Sequence, residues 1–471
     1  MTSAPDLDAR ASRAALATRA AFAAALRDHL ARDPAAAAAD VRAFHDGIRA
    51  SGLRYAGEPL EAAFSPLVFD PTELAELARI DESALALLER TTDRFLDDPE
   101  MQAEYGIAPE HLALVRADPG YRLAIPCGRL DSHHDGRTLR FLEANTDGTS
   151  GMSNVERVTD LFLERAARAP DLAAFGLAPF ALGRGVLDAL LASYGEWRAR
   201  AAATRAERPR TLAIVDWGEV ETRTEFQDLK AFFEASGQPT AVCDPRELRY
   251  DGRTLALERD GRACPIDLVY RRVVTTEYRA RLREVEALTR AYLDGRVCVV
   301  GSFRSDVAFD KRALVLLTDS RFADRLSPEE RAIAAHFAAT WTLRPGDAAL
   351  IERALREREA FVLKPADQYA GRGVRLGALT EPAAWRRALV EAADGRHVLQ
   401  ERIPAPVAEV LADAPSPVPR PLHLSVGHFL FGGRLIGFLP RASRDLVLSA
   451  ETDEKLLPAL LATGRREPRT S

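Results

Sequence analysis

RLDSHHDGRTLRFLEAN, residues 129–145, is the stretch on which the reading of this chain turns. Two short apolar-rich runs, 121–129 and 138–144, flank Asp135-Gly136. Asp-Gly between two such runs is a strong hairpin signal. Alternate residues of a strand face the same side. Arg129 and Asp131 therefore project together from one arm, and Glu143 and Asn145 from the other. Two carboxylates and an amide oxygen form a hard-oxygen ligand set suited to Mg2+. Arg129 sits beside them, available to an anionic reacting group. A solvated hairpin face is the plainer alternative, but Phe141-Leu142 next to Glu143 argue for a buried arm. His133 and His134 are adjacent, hence on opposite faces, and a shared metal site between them is excluded.

FVLKPADQYAGRGV, residues 361–374, carries the second signal. A strand ending in Lys364-Pro365, then a loop with Gly371 and Gly373, reads as a phosphate clamp. Lysine acts as a point charge toward phosphate oxygens, and glycine lets backbone N–H groups approach them closely. The order of a P-loop is absent. An ordinary β-turn is the alternative. Further on, the apolar run from Val398 leads into Gln400, Glu401 and Ile403 before Pro404. Such a strand end can hold an adenine, with backbone groups on its edge and apolar side chains on its faces. Lys311, at a helix start after Asp310, is a candidate second charge on the phosphates. Arg441, beside the last hairpin, is a candidate at the reacting centre.

Around these stretches the chain reads as mixed α/β. Alanine abundance makes residues 1–120 a helical N-terminal region. Asp70-Pro71 and Asp98-Pro99 are helix starts. Leu74, Leu77, Leu85 and Leu88 recur at helical spacing around a break. Residues 121–205 hold the metal-binding hairpin and following helices, with 152–200 helical. Residues 206–295 alternate strand and helix, predicting a small, largely parallel α/β layer that includes a strand over Ile266–Tyr270. Residues 296–450 read as a clamping sub-domain, mostly helix from 301 to 350, then strands and a closing hairpin with Gly432-Gly433 at its tip. A Pro-rich loop spans 412–421, and the 451–471 tail is weakly patterned and expected to be loose.

The whole chain of 471 residues carries 64 basic and 70 acidic side chains, a net charge of -6. So balanced a chain offers no field for nucleic acid or an anionic membrane. No stretch approaches the ~20 apolar residues that span a bilayer, and no leader pattern opens the sequence. A cytoplasmic protein is the expectation. Its four cysteines form no Cys-x-x-Cys pair, which argues against zinc or a redox motif.

Taken jointly and in order, Arg129-x-Asp131, Glu143-x-Asn145, Lys311, Lys364-Pro365, Gly371-x-Gly373 and Gln400-Glu401 resemble the circularly permuted ATP-grasp proteins. The likeness is to the synthetase domain of glutathionylspermidine synthase and its relatives. Asp267-Leu268-Val269-Tyr270-Arg271-Arg272 resembles the segment that closes that group's pre-ATP-grasp layer. The resemblance covers roughly residues 120–445; no amidase domain accompanies it. It implies an ATP-grasp fold in permuted order and ATP and Mg2+ as cofactors. Asp131, Glu143 and Asn145 would hold the metal; Lys311, Lys364, Gly371, Gly373, Gln400, Glu401 and Ile403 the nucleotide; Arg129 and Arg441 the reacting group. The implied reaction joins a carboxylate to an amine through an acylphosphate, releasing ADP and phosphate. Arg271, Arg272 and Arg129 hint at an anionic acid substrate such as a peptide carboxylate. Two alternatives stay open: a nucleotide-binding module without ligase activity, and an enzyme that stops at phosphoryl transfer.

Overall fold

The computed structural model describes the chain except residues 1–4, 56–57, 201–204, 221, 260, 370, 412–417, 447–452 and 465–471. Ala370 in the clamp loop and most of the Pro-rich loop thus lie outside the described residues. The alanine-rich opening forms two helices, Ala9–Arg32 and Pro34–Ala50. Asp8 and Asp33 cap their first turns by accepting backbone N–H groups. Asp70 opens the helix Pro71–Asp97 with a capping box to Glu73. That helix runs without the break expected near Leu77, because Ile80, Ala84 and Leu87 keep its inner face apolar and buried. Short strand pairs interrupt the helical region between 54 and 69.

The central sheet joins distant parts of the sequence. Its order is Lys455–Leu456, Arg434–Ser443, Arg420–Phe431, Cys127–His134, Leu139–Asn145, with Val407–Val410 also pairing Arg420–Phe431. All its neighbours are antiparallel. The first and last hairpins are thus sheet neighbours. A second, four-stranded sheet is parallel throughout: Cys298–Val300, Leu268–Arg271, Leu212–Val215, Thr240–Cys243. A third is antiparallel: Thr340–Thr342, His397–Glu401, Phe361–Pro365, Arg375–Leu376.

Four readings are corrected. Thr340–Thr342 and Leu177–Pro179 are strands where helix was expected; three-residue strands carry too little periodicity to register. The strand expected over Ile266–Tyr270 divides at Asp267: Arg262–Ile266 belongs to an antiparallel ribbon and Leu268–Arg271 to the parallel sheet. The tail is not loose where it is described. Ala459–Ala462 lies between Leu67–Phe69 and Leu177–Pro179, and Leu457, Ala459 and Leu460 are buried. A strand covered on both faces shows no alternation, so its sequence looks unpatterned. Among the described residues no helix is long and apolar enough to cross a membrane.

Leu460 is fully buried in that terminal strand. Leu460→Ala should cost ~2–5 kcal/mol, the usual range for truncating a core leucine, read from the urea unfolding midpoint. An unchanged midpoint would mean the tail is not part of the core.

Candidate active site

The two arms of the first hairpin pair with Arg129 opposite Asn145 and Asp131 opposite Glu143. The register therefore sets the two carboxylates side by side on one face. A bulge follows at Asp131/Ser132, and Leu142 joins the same cavity wall. Asn145 Nδ2 lies 3.4 Å from Glu143 Oε1. Across from them stand both clamp lysines. Lys311 Nζ is 3.7 Å from Glu143 Oε2 and donates to the Gln368 carbonyl at 2.6 Å, which ties it to the clamp loop. The Lys311 amide donates to Ala366 in the same loop. Lys364, at the end of the strand Phe361–Pro365, has its ammonium pushed down to about 8 by burial and by Lys311, against the pull of Glu143. Burial raises the Glu143 carboxyl, but Lys311 and Lys364 outweigh it and hold the group below its ordinary range.

Asp131 is buried between two guanidiniums. Arg129 donates to it through Nε at 2.6 Å and Nη2 at 3.0 Å. Arg441 Nη2 donates at 2.9 Å. These cations more than offset burial and keep the Asp131 carboxyl well below the usual range. Arg129 Nη1 donates to the Ser150 carbonyl at 2.7 Å. Three of the five N–H donors of Arg129 are thus given to the protein. Gly427 faces Asp131 on the next strand. A Cβ there would lie 2.6 Å from Arg129 Cδ and 2.9 Å from Asp131 Oδ1. Sequence reading passed over this residue, since a glycine inside a strand carries no signal of what crosses it.

All twelve candidate residues lie close to one cavity of about 900 Å³, and all but Gly373 line it, a size that suits a nucleotide plus a small substrate. Gly373 closes the clamp turn at positive φ, where a Cβ would meet Pro365. The hinge candidates differ in what they offer. The Gln400 side chain is buried and donates to the Leu142 carbonyl and Thr340 Oγ1. The Glu401 carboxylate pairs with Arg140 at 2.8 Å. Both side chains are thus spent on the protein, and what this edge can offer a base is backbone and the Ile403 side chain. His133 reaches the same edge: its Nδ1 is 2.9 Å from the Ile403 carbonyl.

The far end of the cavity is built by the C-terminal ends of the parallel strands, where open α/β sheets hold ligands. Asp216, Trp217, Glu219 and Glu277 line it. Burial pushes the Asp216 carboxyl up to about 7 against the pull of Arg272. Glu277 accepts from Tyr369 Oη at 2.6 Å, so the clamp loop is latched to this wall. Arg271 and Arg272, read as hints of an acid substrate, are structural. Arg271 pairs with buried Asp147 at 2.6 Å; Arg272 donates to Thr149, Gly148 and the Tyr270 hydroxyl.

No protein-family profile matches this sequence, and no curated protein matches it. Solved structures do. A glutathione synthetase-like effector from Globodera pallida, in apo form, matches 91% of this chain and 98% of its own at 12% identity, with a TM-score of 0.57. A provisionally assigned gamma-glutamylcysteine synthetase from Methylobacillus flagellatus matches 79% of this chain and 85% of its own at 12% identity and a TM-score of 0.35. D-alanyl-alanine synthetase A from Vibrio cholerae matches 54% and 88%, again at 12% identity, with a TM-score of 0.29. Only the first bears on the chain as a whole, and at that identity it shows the fold alone, a mixed α/β architecture shared with the glutathione synthetase-like effector.

Two expectations follow. Gly427→Ala should displace the Arg129–Asp131 pair and lower the melting temperature by several degrees, as ~1–3 kcal/mol of overpacking does; a crystal structure of the variant with the pair unmoved would contradict this. Lys364 has a folded pKa of about 8 against an ordinary 10.5. The unfolded chain therefore binds the extra proton between those values. Stability measured in EDTA should rise by roughly 2–3 kcal/mol from pH 8 to 10.5 relative to Lys364→Met. Equal slopes for the two proteins would place Lys364 in solvent.

Proposed function

We propose that this chain is an ATP- and Mg2+-dependent ligase that activates a carboxylate for attack by an amine. The observation that carries the reading is the facing of two sets across one cavity: Asp131, Glu143 and Asn145 against Lys311 and Lys364. The donor set fits Mg2+, which takes carboxylate and amide oxygens and completes its shell with phosphate oxygens and water. When bound, the metal supplies positive charge where phosphoryl transfer builds negative charge. Lys311 and Lys364 hold phosphate oxygens, and Gly371 and Gly373, both at positive φ, let the clamp loop lie close over them. The backbone from Glu401 to Ile403 receives the base.

In this reading the γ-phosphoryl group passes to a substrate carboxylate, and the acylphosphate formed loses phosphate to an amine. Arg129 and Arg441 act from behind Asp131 as fixed charges that orient its carboxylate. The far end of the cavity, lined by Asp216, Trp217 and Glu277, is the space left for the amine. A second reading, a nucleotide-binding module without turnover, rests on Arg129 giving three of its five donors to Asp131 and Ser150.

The test is product identity. Incubated with ATP, Mg2+ and panels of carboxylic acids and primary amines, the protein should release ADP and phosphate; AMP and pyrophosphate would overturn the chemistry. Tight ATP binding without turnover under every pairing would select the second reading. Glu143→Gln should reduce turnover about a hundredfold, near 3 kcal/mol of transition-state stabilisation, and shift the Mg2+ requirement upward. A variant with the Mg2+ profile of the wild type would remove Glu143 from the metal site.

A further inference from the structure

The hinge that would receive the base is poorly tied by its own backbone. Pro404 and Pro406 have no N–H to donate. The amides of Glu401 and Arg402 already donate to Ala339 and Ala360. From Ile403 the chain leaves the strand His397–Glu401 and runs irregularly to Val407. Into this gap reaches His133, from the other wall of the cavity. Its Nδ1 is 2.9 Å from the Ile403 carbonyl; a carbonyl only accepts, so Nδ1 is the donor. His133 stands on the same strand face as Asp131, two residues on, and so about 7 Å farther along the arm at the usual strand rise. His133, Lys364, Ile403 and Ala405 share the cavity lining. One rigid strand thus carries a proposed metal ligand and, a nucleoside's length away, a clasp on the edge where the base would lie.

We propose that His133 is a positioning residue that fixes the base-binding edge at Ile403 to the metal-binding hairpin, so that the distance between base and metal is set before the nucleotide arrives. This rests on the nucleotide reading above. Backbone hydrogen bonds at Arg402 and Pro406 hold the two ends of the hinge; without the clasp the Ile403 carbonyl between them loses its tie to the hairpin, and the nucleoside has to order it on binding. The phosphates, held by Lys311, Lys364 and the metal set, do not depend on it.

That separation makes the test. Calorimetry would compare Mg2+ with a non-hydrolysable ATP analogue and Mg2+ with inorganic tripolyphosphate, on wild type, His133→Leu and His133→Asn. The asparagine amide can place a donor near the Nδ1 position; leucine fills space without one. His133→Leu should bind the ATP analogue about tenfold more weakly, the scale of one lost hydrogen bond, with tripolyphosphate binding within twofold of wild type. His133→Asn should recover most of the loss. His133→Ala, which adds no bulk, serves if the leucine variant does not fold, and imidazole added in solution should then restore part of its affinity. Unchanged analogue binding by His133→Leu, parallel loss of both probes, or an asparagine variant as weak as the leucine one would each overturn the proposal. Wild type that binds tripolyphosphate but not the analogue would defeat it at the hinge. Wild type that binds neither would defeat the nucleotide reading itself.

Discussion

The site depends on one buried ion cluster, Asp131 between Arg129 and Arg441. Each member comes from a different strand position in the central sheet. Arg129 and Asp131 are on the first hairpin; Arg441 is on the last. Burying a lone carboxylate is costly enough that it would take up a proton instead. The cluster avoids this: Arg129 pairs with Asp131 on its own strand, and Arg441 adds a second cation where the two hairpins pair. Breaking such a cluster from one side is expensive, because it strands the remaining charge. Gly427 is the steric counterpart: the guanidinium crosses its strand at a point where no side chain fits.

The back of the same strand explains why the N-terminal helices matter to the site. Ser132 Oγ is 2.8 Å from His428 Nε2, and His428 Nδ1 is 2.7 Å from Asp81 on the long helix. His134 Nε2 is 2.7 Å from Glu73, which Arg19 also meets. The serine, histidine and aspartate have the order of a hydrolytic triad, yet all three are fully buried and no substrate carbonyl reaches them. They act as a polar seam. Strand alternation sends 131 and 133 to the cavity and 132 and 134 to this seam. The helices Ala9–Arg32 and Pro71–Asp97 thereby grip the strand from behind and fix the angle at which its cavity face is presented.

Much of this was legible in the sequence where local rules decide it. Asp135-Gly136 located the hairpin, and period two sorted its residues onto faces. Asp70-Pro71 and Asp98-Pro99 marked helix starts that the structure keeps. What failed to register depends on pairing at long range. The central sheet joins residue 132 to residue 428, and no window along the chain contains both. Gln400 and Glu401 were read as offering backbone to a base; that their side chains answer to Leu142, Thr340 and Arg140 across sheet contacts could not be seen in the sequence. Arg271 and Arg272 looked like a substrate's counter-charges because a sequence shows charge without showing what is buried beside it. Asp147 and the carbonyls of Gly148 and Thr149 were that missing information.

Charge balance ties these features to the nucleotide. Around the proposed metal set stand four cations, Arg129, Arg441, Lys311 and Lys364, against two carboxylates, Asp131 and Glu143. The Glu401–Arg140 pair at the hinge is neutral. Glu454 lies 3.9 Å from Arg441 and lines the same cavity, so the excess is one positive charge, held where charge is weakly screened. Mg2+ bound to a fully ionised nucleoside triphosphate carries two negative charges. The metal alone would meet net repulsion, and the metal–triphosphate complex net attraction. The depressed pKa of Lys364 follows first from its burial, and Lys311 beside it adds to the shift against the pull of Glu143.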